Sequence, residues 1–287
     1  MLASQLVFCN NCGQEAHFSD GSAWFPKTRQ CQKCQAFVYP INSGVSLADH
    51  YQENYFEGTE YLGYLDSRNV NRKNFARKIA LLERTLKKTM SEFKILEIGT
   101  ASGDFLELCR EKGATKLLGI EISGYCRDIC HKKKISVLSP SDPELSQKIM
   151  QFKPDLIVAW DVWEHLENPA QVFDQIMRYA EKTAAVALTT VQVDSLTAWL
   201  RRAKWRQFHP PTHLCYPTRL SFNLFFKNRG FKILRHSFFG YSRSLAEYVA
   251  AIFPRIKSKR KFLKPLFRLS VYLNLYDIQI VIANREP

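Results

Sequence analysis

The 287-residue chain predicts an α/β fold: a Rossmann-like, seven-stranded sheet with helices on both faces, plus a small N-terminal zinc ribbon. Three observations predict it. From residue 94 onward, apolar runs of strand length alternate with segments of helical periodicity, the pattern of a parallel sheet covered on both sides. One run, Ile95 to Ile98, enters a small-residue turn and then a helix, and an acidic residue, Glu121, ends the following strand. Two Cys-x-x-Cys pairs stand ahead of all of this.

The ribbon comes first. Cys9-Asn10-Asn11-Cys12 and Cys31-Gln32-Lys33-Cys34 are separated by 18 residues. Four thiolates in two such pairs predict a closed tetrahedral Zn site at Cys9, Cys12, Cys31 and Cys34. Gly13 allows a tight turn that aims backbone amides at sulfur. The segment between the pairs is too short for its own core, so the metal supplies folding energy. A redox pair would need no second copy. Cys109, Cys126 and Cys130 fall in predicted helices as small buried residues, and Cys215 lies in a loop. The expected organisation is a ribbon over 1–45, an aromatic connection and leading helix over 46–90, and the main domain over 91–287. The connection is tyrosine-rich (Tyr51, Tyr55, Tyr61, Tyr64), and the helix runs from Asn71 to Thr89.

In the main domain, strands are expected near 94–98, 116–122, 135–138, 155–160, 184–190, 231–238 and 277–283. Helices are expected near 103–112, 124–133, 143–151, 169–181 and 218–229. A basic insertion, about 242–274, separates the last two strands. Strand, tight turn, helix, strand and carboxylate form the plan of a nucleoside-cofactor site. A dinucleotide fingerprint counted from Gly99 would need glycine at 101 and 104, where this chain has Ala101 and Asp104. What stands here is Glu97-x-Gly99-x-Ala101-x-Gly103. This resembles the acidic, glycine-rich turn of class I S-adenosylmethionine (SAM) dependent methyltransferases, with alanine at the middle glycine.

Two further segments extend the resemblance. Asp161-Val162-Trp163-Glu164-His165-Leu166-Glu167-Asn168-Pro169 is similar to the segment after the fourth strand in the ubiquinone-biosynthesis-like branch. Pro211-Thr212-His213-Leu214-Cys215-Tyr216 is similar to a later segment of that branch. The resemblance implies SAM as cofactor, held by Glu97, Gly99, Thr100, Ala101 and Gly103, with Glu121 on the ribose hydroxyls and Ile122 beside it. It implies Asp142 near the adenine, or as a helix N-cap, and Asp161 shaping the pocket. Methyl transfer to a hydroxyl benefits from a base, and histidine suits neutral pH. His213 and His165 are the candidates, with His209 behind them; each could instead only orient a loop.

The formal charge of +14 favours anionic partners: a phosphorylated substrate, an anionic membrane surface or nucleic acid. Residues 255–268 are basic without an acid, and residues 72–88 carry seven cations against Glu83. Each run reads as a solvated helix face, and 255–268 also suits an interfacial helix on anionic lipid or a lid on a phosphorylated acceptor. No apolar run is long enough to cross a bilayer, and Met1 to Phe8 is too short for a secretory signal before Cys9. A cytoplasmic protein, peripheral at most on the inner face of the membrane, is expected. The expected activity is methyl transfer to a small-molecule, sugar or lipid-linked acceptor, at oxygen. RNA methylation using the ribbon and the basic surface is the alternative, and SAM binding without catalysis a third class. After the fourth strand, Trp160-Asp161-Val162-Trp163 stands where base-methylating enzymes carry an N-P-P-Y type tetrapeptide, which disfavours base N-methylation.

Overall fold

The computed structural model describes residues 6–40, 68–252 and 269–286. The tyrosine-rich connection and the basic stretch 255–268 lie outside the described residues. Five short strands come first: β1 (Val7–Phe8), β2 (Glu15–Ala16), β3 (Phe18–Asp20), β4 (Arg29–Cys31) and β5 (Phe37–Val38). Helix α1 (Arg68–Leu86) precedes β6 (Lys94–Ile98), α2 (Asp104–Glu111), β7 (Lys116–Ile120), α3 (Gly124–Lys132), β8 (Val137–Leu138) and α4 (Leu145–Phe152). Then come β9 (Leu156–Trp160), α5 (Pro169–Met177), β10 (Ala185–Val191), α6 (Leu196–Arg201), β11 (Cys215–Tyr216), α7 (Arg219–Lys227) and β12 (Phe231–Phe238). The last elements are β13 (Tyr241–Ser244), α8 (Leu245–Ile252), β14 (Ser270–Leu273) and β15 (Ile278–Arg285).

The seven strands expected from sequence form one sheet of order β12-β15-β10-β9-β6-β7-β8. β6, β7 and β8 are parallel, as are β9 and β10, while β15 runs antiparallel to both β10 and β12. Every residue of β9 and β10 is buried, which explains the unbroken apolar run of β9; β10 also buries Thr189 and Thr190. Caps punctuate the helices. The Asn168 side chain accepts from Gln171 N–H at 3.3 Å and Pro169 opens α5, so the Asn-Pro pair of the motif is a helix start.

The chain divides into two compact units. The first holds the described residues of 6–40, 146–239 and 275–286. Here the ribbon is not a bead on a string. Its second sheet has the order β11-β5-β4-β3, and β11 comes from residues Cys215–Tyr216, far along the chain. Cys215 pairs with Val38, Tyr216 with Phe37, and Tyr39 N–H donates to Leu214 O at 2.8 Å. Trp163 is fully buried against Phe173, Phe222 and Phe225, and its indole N–H donates to Asn11 of the first knuckle at 3.1 Å.

The second unit holds the described residues of 68–145, 240–252 and 269–274. Some of the basic charge of α1 is paired or buried. Arg68 bonds Asp104 at 3.1 Å and Glu107 at 2.5 Å, and Arg72 pairs with Glu111. Lys78 is buried, its ammonium 5.4 Å from the Phe75 ring and 5.0 Å from the Tyr241 ring. The Asn74 side chain bonds both backbone groups of Ser242, pinning β13 to the helix. The described ends of the basic insertion are thus a β13–β14 antiparallel pair and α8.

Candidate functional site

In the second unit, the turn after β6 has the backbone of a ligand cradle. Gly99, Ala101 and Gly103 all lie at positive φ, +71°, +47° and +77°. Glycine reaches this region freely, and Gly103 has a second reason to lack a side chain. A Cβ there would come within 2.7 Å of Ile135 Cδ1. Ala101 pays the steric cost that a glycine would not, of roughly 1–2 kcal/mol. Two hydrogen bonds hold it: its N–H donates to Glu121 Oε2 at 2.7 Å, and its carbonyl accepts from Cys130 Sγ at 3.2 Å.

Glu121 lies just past β7 and is buried. Its Oε1 accepts from Ser123 N–H at 2.8 Å, so each carboxylate oxygen holds one backbone donor and keeps a second lone-pair site. Burial pushes its carboxyl up, while the Ser123 and Ala101 amides pull it back. Glu97 is fully enclosed, and burial raises its carboxyl well above the usual range against the opposing pull of Lys78. Its Oε2 has no hydrogen-bond partner among the described residues. A buried carboxylate oxygen without a donor, beside a turn of three left-handed residues, fits a cationic, nucleoside-bearing ligand such as SAM.

Thr100 is buried, its hydroxyl donating to Glu97 O at 3.2 Å, and a side chain at Gly119 would strike it. Ile122 is half-buried, and its carbonyl accepts from Arg127 at 2.7 Å. Asp142 Oδ1 accepts from Glu144 N–H at 2.9 Å in a local turn, and α4 begins at Leu145 rather than Pro143. An ionic cluster that the sequence did not advertise braces the start of α2. Lys133 bonds Asp104 at 2.6 Å and Ser102 O at 2.8 Å, alongside Arg68. Its signal is the pairing of acids in the first turn of a helix with cations from distant segments, which only the fold brings together.

In the first unit, the four knuckle cysteines converge. Their sulfurs all lie within 4.8 Å of one another, and Cys9 Sγ to Cys34 Sγ is 3.7 Å. At a Zn–S bond of about 2.3 Å, the edge of a regular tetrahedron is about 3.8 Å, so the donor set fits Zn²⁺. All four are buried, unbridged, and packed with Ala16, Ala36, Phe18 and Leu224. Gly13, at φ +68°, sits where a Cβ would meet the Arg229 guanidinium at 2.3 Å.

The two candidate bases also converge. His165 and His213 stack edge to face with ring centroids 4.6 Å apart, and His209 lies 5.5 Å from His213. His165 Nδ1 is 3.0 Å from Thr212 O, and His213 Nδ1 is 2.8 Å from Gln207 O. A carbonyl only accepts, so each Nδ1 carries the proton and each Nε2 is the basic nitrogen. His213 is held well below the usual imidazole value, first by burial and then by His165, against the pull of the Gln207 carbonyl. Glu164, buried beside them, accepts from the Thr190 hydroxyl at 2.7 Å, and its carbonyl accepts from Leu214 N–H at 2.7 Å. Ligand atoms of Glu164, His165 and His213 lie within 4.8 Å of one another, a spacing at which one metal ion could be held. Asp161, at φ +56° past β9, donates its N–H to Thr189 O at 2.9 Å.

The ribbon supports this histidine loop. Phe25 packs its ring against Phe37, Trp205, Phe208 and Tyr216 at 5.0 to 6.2 Å. The Tyr216 hydroxyl donates to His213 O at 3.0 Å, and Trp205 donates to Asp277 at 3.1 Å. Cys215 is an interior residue that donates to Leu166 O and has no part in this chemistry.

Comparison with known proteins gives the family and the fold. The family profile described as a methyltransferase domain matches residues 70–236. Magnesium protoporphyrin IX methyltransferase from Synechocystis PCC 6803 with bound SAH is 15% identical, with a TM-score of 0.50, covering 81% of this chain and 91% of that one. Its SAM-bound structure is 11% identical, with a TM-score of 0.51, covering 86% and 100%. A SAM-dependent methyltransferase from Archaeoglobus fulgidus is 18% identical, with a TM-score of 0.50, covering 81% and 97%. These structures share the fold. No curated protein matches the sequence. The chain belongs to the methyltransferase-domain family and is a SAM-dependent methyltransferase.

Proposed function

We propose that this member of the methyltransferase-domain family moves the SAM methyl group to an oxygen of a small-molecule, sugar or lipid-linked acceptor. The observation that carries the reading is the histidine pair. Two imidazoles, each with its Nδ1–H tied to a backbone carbonyl, stand edge to face, and burial favours the neutral form of His213. His213 is the proton acceptor and His165 its neighbour. With an acceptor hydroxyl aligned on the methyl group that SAM would supply, the His213 imidazole would take the hydroxyl proton. Glu97, Gly99, Thr100, Ala101 and Gly103 hold the cofactor, Glu121 takes the ribose hydroxyls, and Ile122, Asp142 and Asp161 line its surroundings. SAM supplies a methyl group activated on a sulfonium; the chain supplies alignment and the base.

Zn²⁺ at Cys9, Cys12, Cys31 and Cys34 is structural in this reading, since four sulfurs fill its tetrahedron and leave no open position. Its service is indirect: the ribbon sheet includes β11 and its Phe25 packs under the loop that carries His213. The test is His213→Asn with SAM affinity followed by calorimetry. Turnover should fall by about 10²–10⁴ with cofactor binding unchanged. Unchanged turnover would remove His213 from the chemistry, and lost cofactor binding would make its role structural.

A further inference from the structure

Helix α6 presents its apolar side to solvent. Leu196, Trp199 and Leu200, at positions i, i+3 and i+4, are 68%, 54% and 65% exposed, while Ala198 on the other side is buried. In a helix that served only the core, this stripe would point inward. The adjoining turn extends the apolar surface: the Thr197 hydroxyl donates to Leu275 O at 2.8 Å, and Tyr276 beside it is 60% exposed. The chain then passes straight into exposed Arg201, Arg202 and Lys204. From Ser195 to Ala246 the sequence contains no Asp or Glu, so no carboxylate of that stretch neutralises these cations. Arg202 is held over the Trp24 ring at 4.6 Å, which fixes its position at the edge of the patch.

We propose that this surface docks on an anionic lipid bilayer, with Leu196, Trp199 and Leu200 inserted at the level of the acyl boundary. Arg201, Arg202 and Lys204 then meet lipid phosphates. The occupant follows from two features together. The cations call for a negatively charged partner, which agrees with the chain's net +14. The aliphatic leucines call for an apolar medium, which a phosphodiester strand lacks. One indole, two leucines and a flanking cationic cluster form the composition of an interfacial anchor. No helix among the described residues is long and apolar enough to span a bilayer, so contact through this surface is peripheral. The inference stands apart from the choice of methyl acceptor, because it concerns binding and not turnover.

The test uses the full chain and vesicles of phosphatidylcholine with phosphatidylglycerol, and of phosphatidylcholine alone. The wild type should co-sediment with the anionic vesicles, with Trp199 fluorescence shifting to the blue. Leu196→Gln, Trp199→Gln and Leu200→Gln together should weaken binding by about tenfold or more, since the insertion energy is lost. Their exposure predicts an unchanged melting temperature and unchanged SAM affinity. Arg201→Gln, Arg202→Gln and Lys204→Gln together should abolish the preference for anionic vesicles and flatten the salt response. Equal sedimentation of wild type and the apolar triple variant would overturn the proposal, as would no binding at low salt. A wild-type dimer dissolved by the same variant would assign the face to a second copy of the chain. Single-stranded RNA binding lost in the cationic variant alone, with no vesicle binding, would assign the surface to nucleic acid.

Discussion

Glu121→Gln keeps the side-chain length and one carbonyl oxygen but removes the charge and replaces an acceptor with a donor. In the native protein Oε1 and Oε2 each accept one backbone N–H, from Ser123 at 2.8 Å and Ala101 at 2.7 Å. An amide satisfies only one of these, and its NH₂ faces another donor at the second. Each ribose hydroxyl bonded to a carboxylate contributes about 1.5–3 kcal/mol, and the variant loses the charge assistance of one such bond or more. SAM or S-adenosylhomocysteine should therefore bind about tenfold to a hundredfold more weakly. Glu121→Ala, which removes both acceptors, should cost about 2–4 kcal/mol, or roughly thirtyfold to a thousandfold. Isothermal calorimetry with S-adenosylhomocysteine gives the affinities. The ligand-free melting temperature separates binding from loss of the clamp on Ala101. Wild-type affinity in both variants would refute the assignment of Glu121 to the ribose, and a parallel collapse of ligand-free stability would make it a turn clamp alone.

Four further outcomes are expected. Cys31→Ser should reduce bound Zn from one per chain to near none by metal analysis. It should also lower stability by at least a few kcal/mol, because binding free energy at such sites is folding free energy; wild-type metal content with wild-type melting would refute it. Ala101→Gly should relieve roughly 1–2 kcal/mol of left-handed strain against about 0.5–1 kcal/mol of added chain entropy, a small net gain in denaturant midpoint; a loss would show that the methyl group packs usefully. The depressed His213 makes the unfolded chain the better proton binder below its ordinary value, so stability should fall as pH drops below about 6.5, at up to about 1.4 kcal/mol per unit. Half-buried His236, lowered to about 4, adds a similar slope between about 6.5 and that value. The acid limb of kcat/KM should likewise lie below about 6.5, and a limb above it would exclude His213 as base.

The sheet was legible because its strands are buried on both faces. β9 is an unbroken apolar run, β10 interrupts one only with buried Thr189 and Thr190, and each expected strand is in the sheet. The turn was legible because its backbone needs glycine at two of three positive-φ positions, and Ala101 adopts the third despite its side chain. The cysteine spacing foretold the clustering of four sulfurs. Other features had no local signature. β11 is two residues long and gains strand character only by pairing with β5, more than 170 residues earlier. Lys78 lies in a run that reads as a solvated basic face, yet it is buried between aromatic rings. Helix α6 escaped notice because six residues with an outward apolar stripe match neither a core helix nor a loop.

The ribbon is tied to the His213 loop at two points. Its outer strands β3 and β4 continue a sheet whose other edge, β11, leaves the His213 loop. Thr218, which caps α7 after that strand, donates its hydroxyl to Cys34 O at 2.6 Å, so the second cysteine knuckle holds the far end of the loop as Phe25 supports its middle. Distortion of the knuckle must therefore reach His213 through two short paths of packed, hydrogen-bonded residues. Phe25→Ala separates this support from folding as a whole. It should create a cavity beneath Trp205, Phe208 and Tyr216, cost about 3–5 kcal/mol, and leave Zn content intact. Turnover should fall while affinity for S-adenosylhomocysteine stays at the wild-type value, because the cofactor cradle belongs to the other compact unit. Wild-type turnover in a folded, zinc-loaded Phe25→Ala protein would show that the histidine loop holds its geometry without the ribbon.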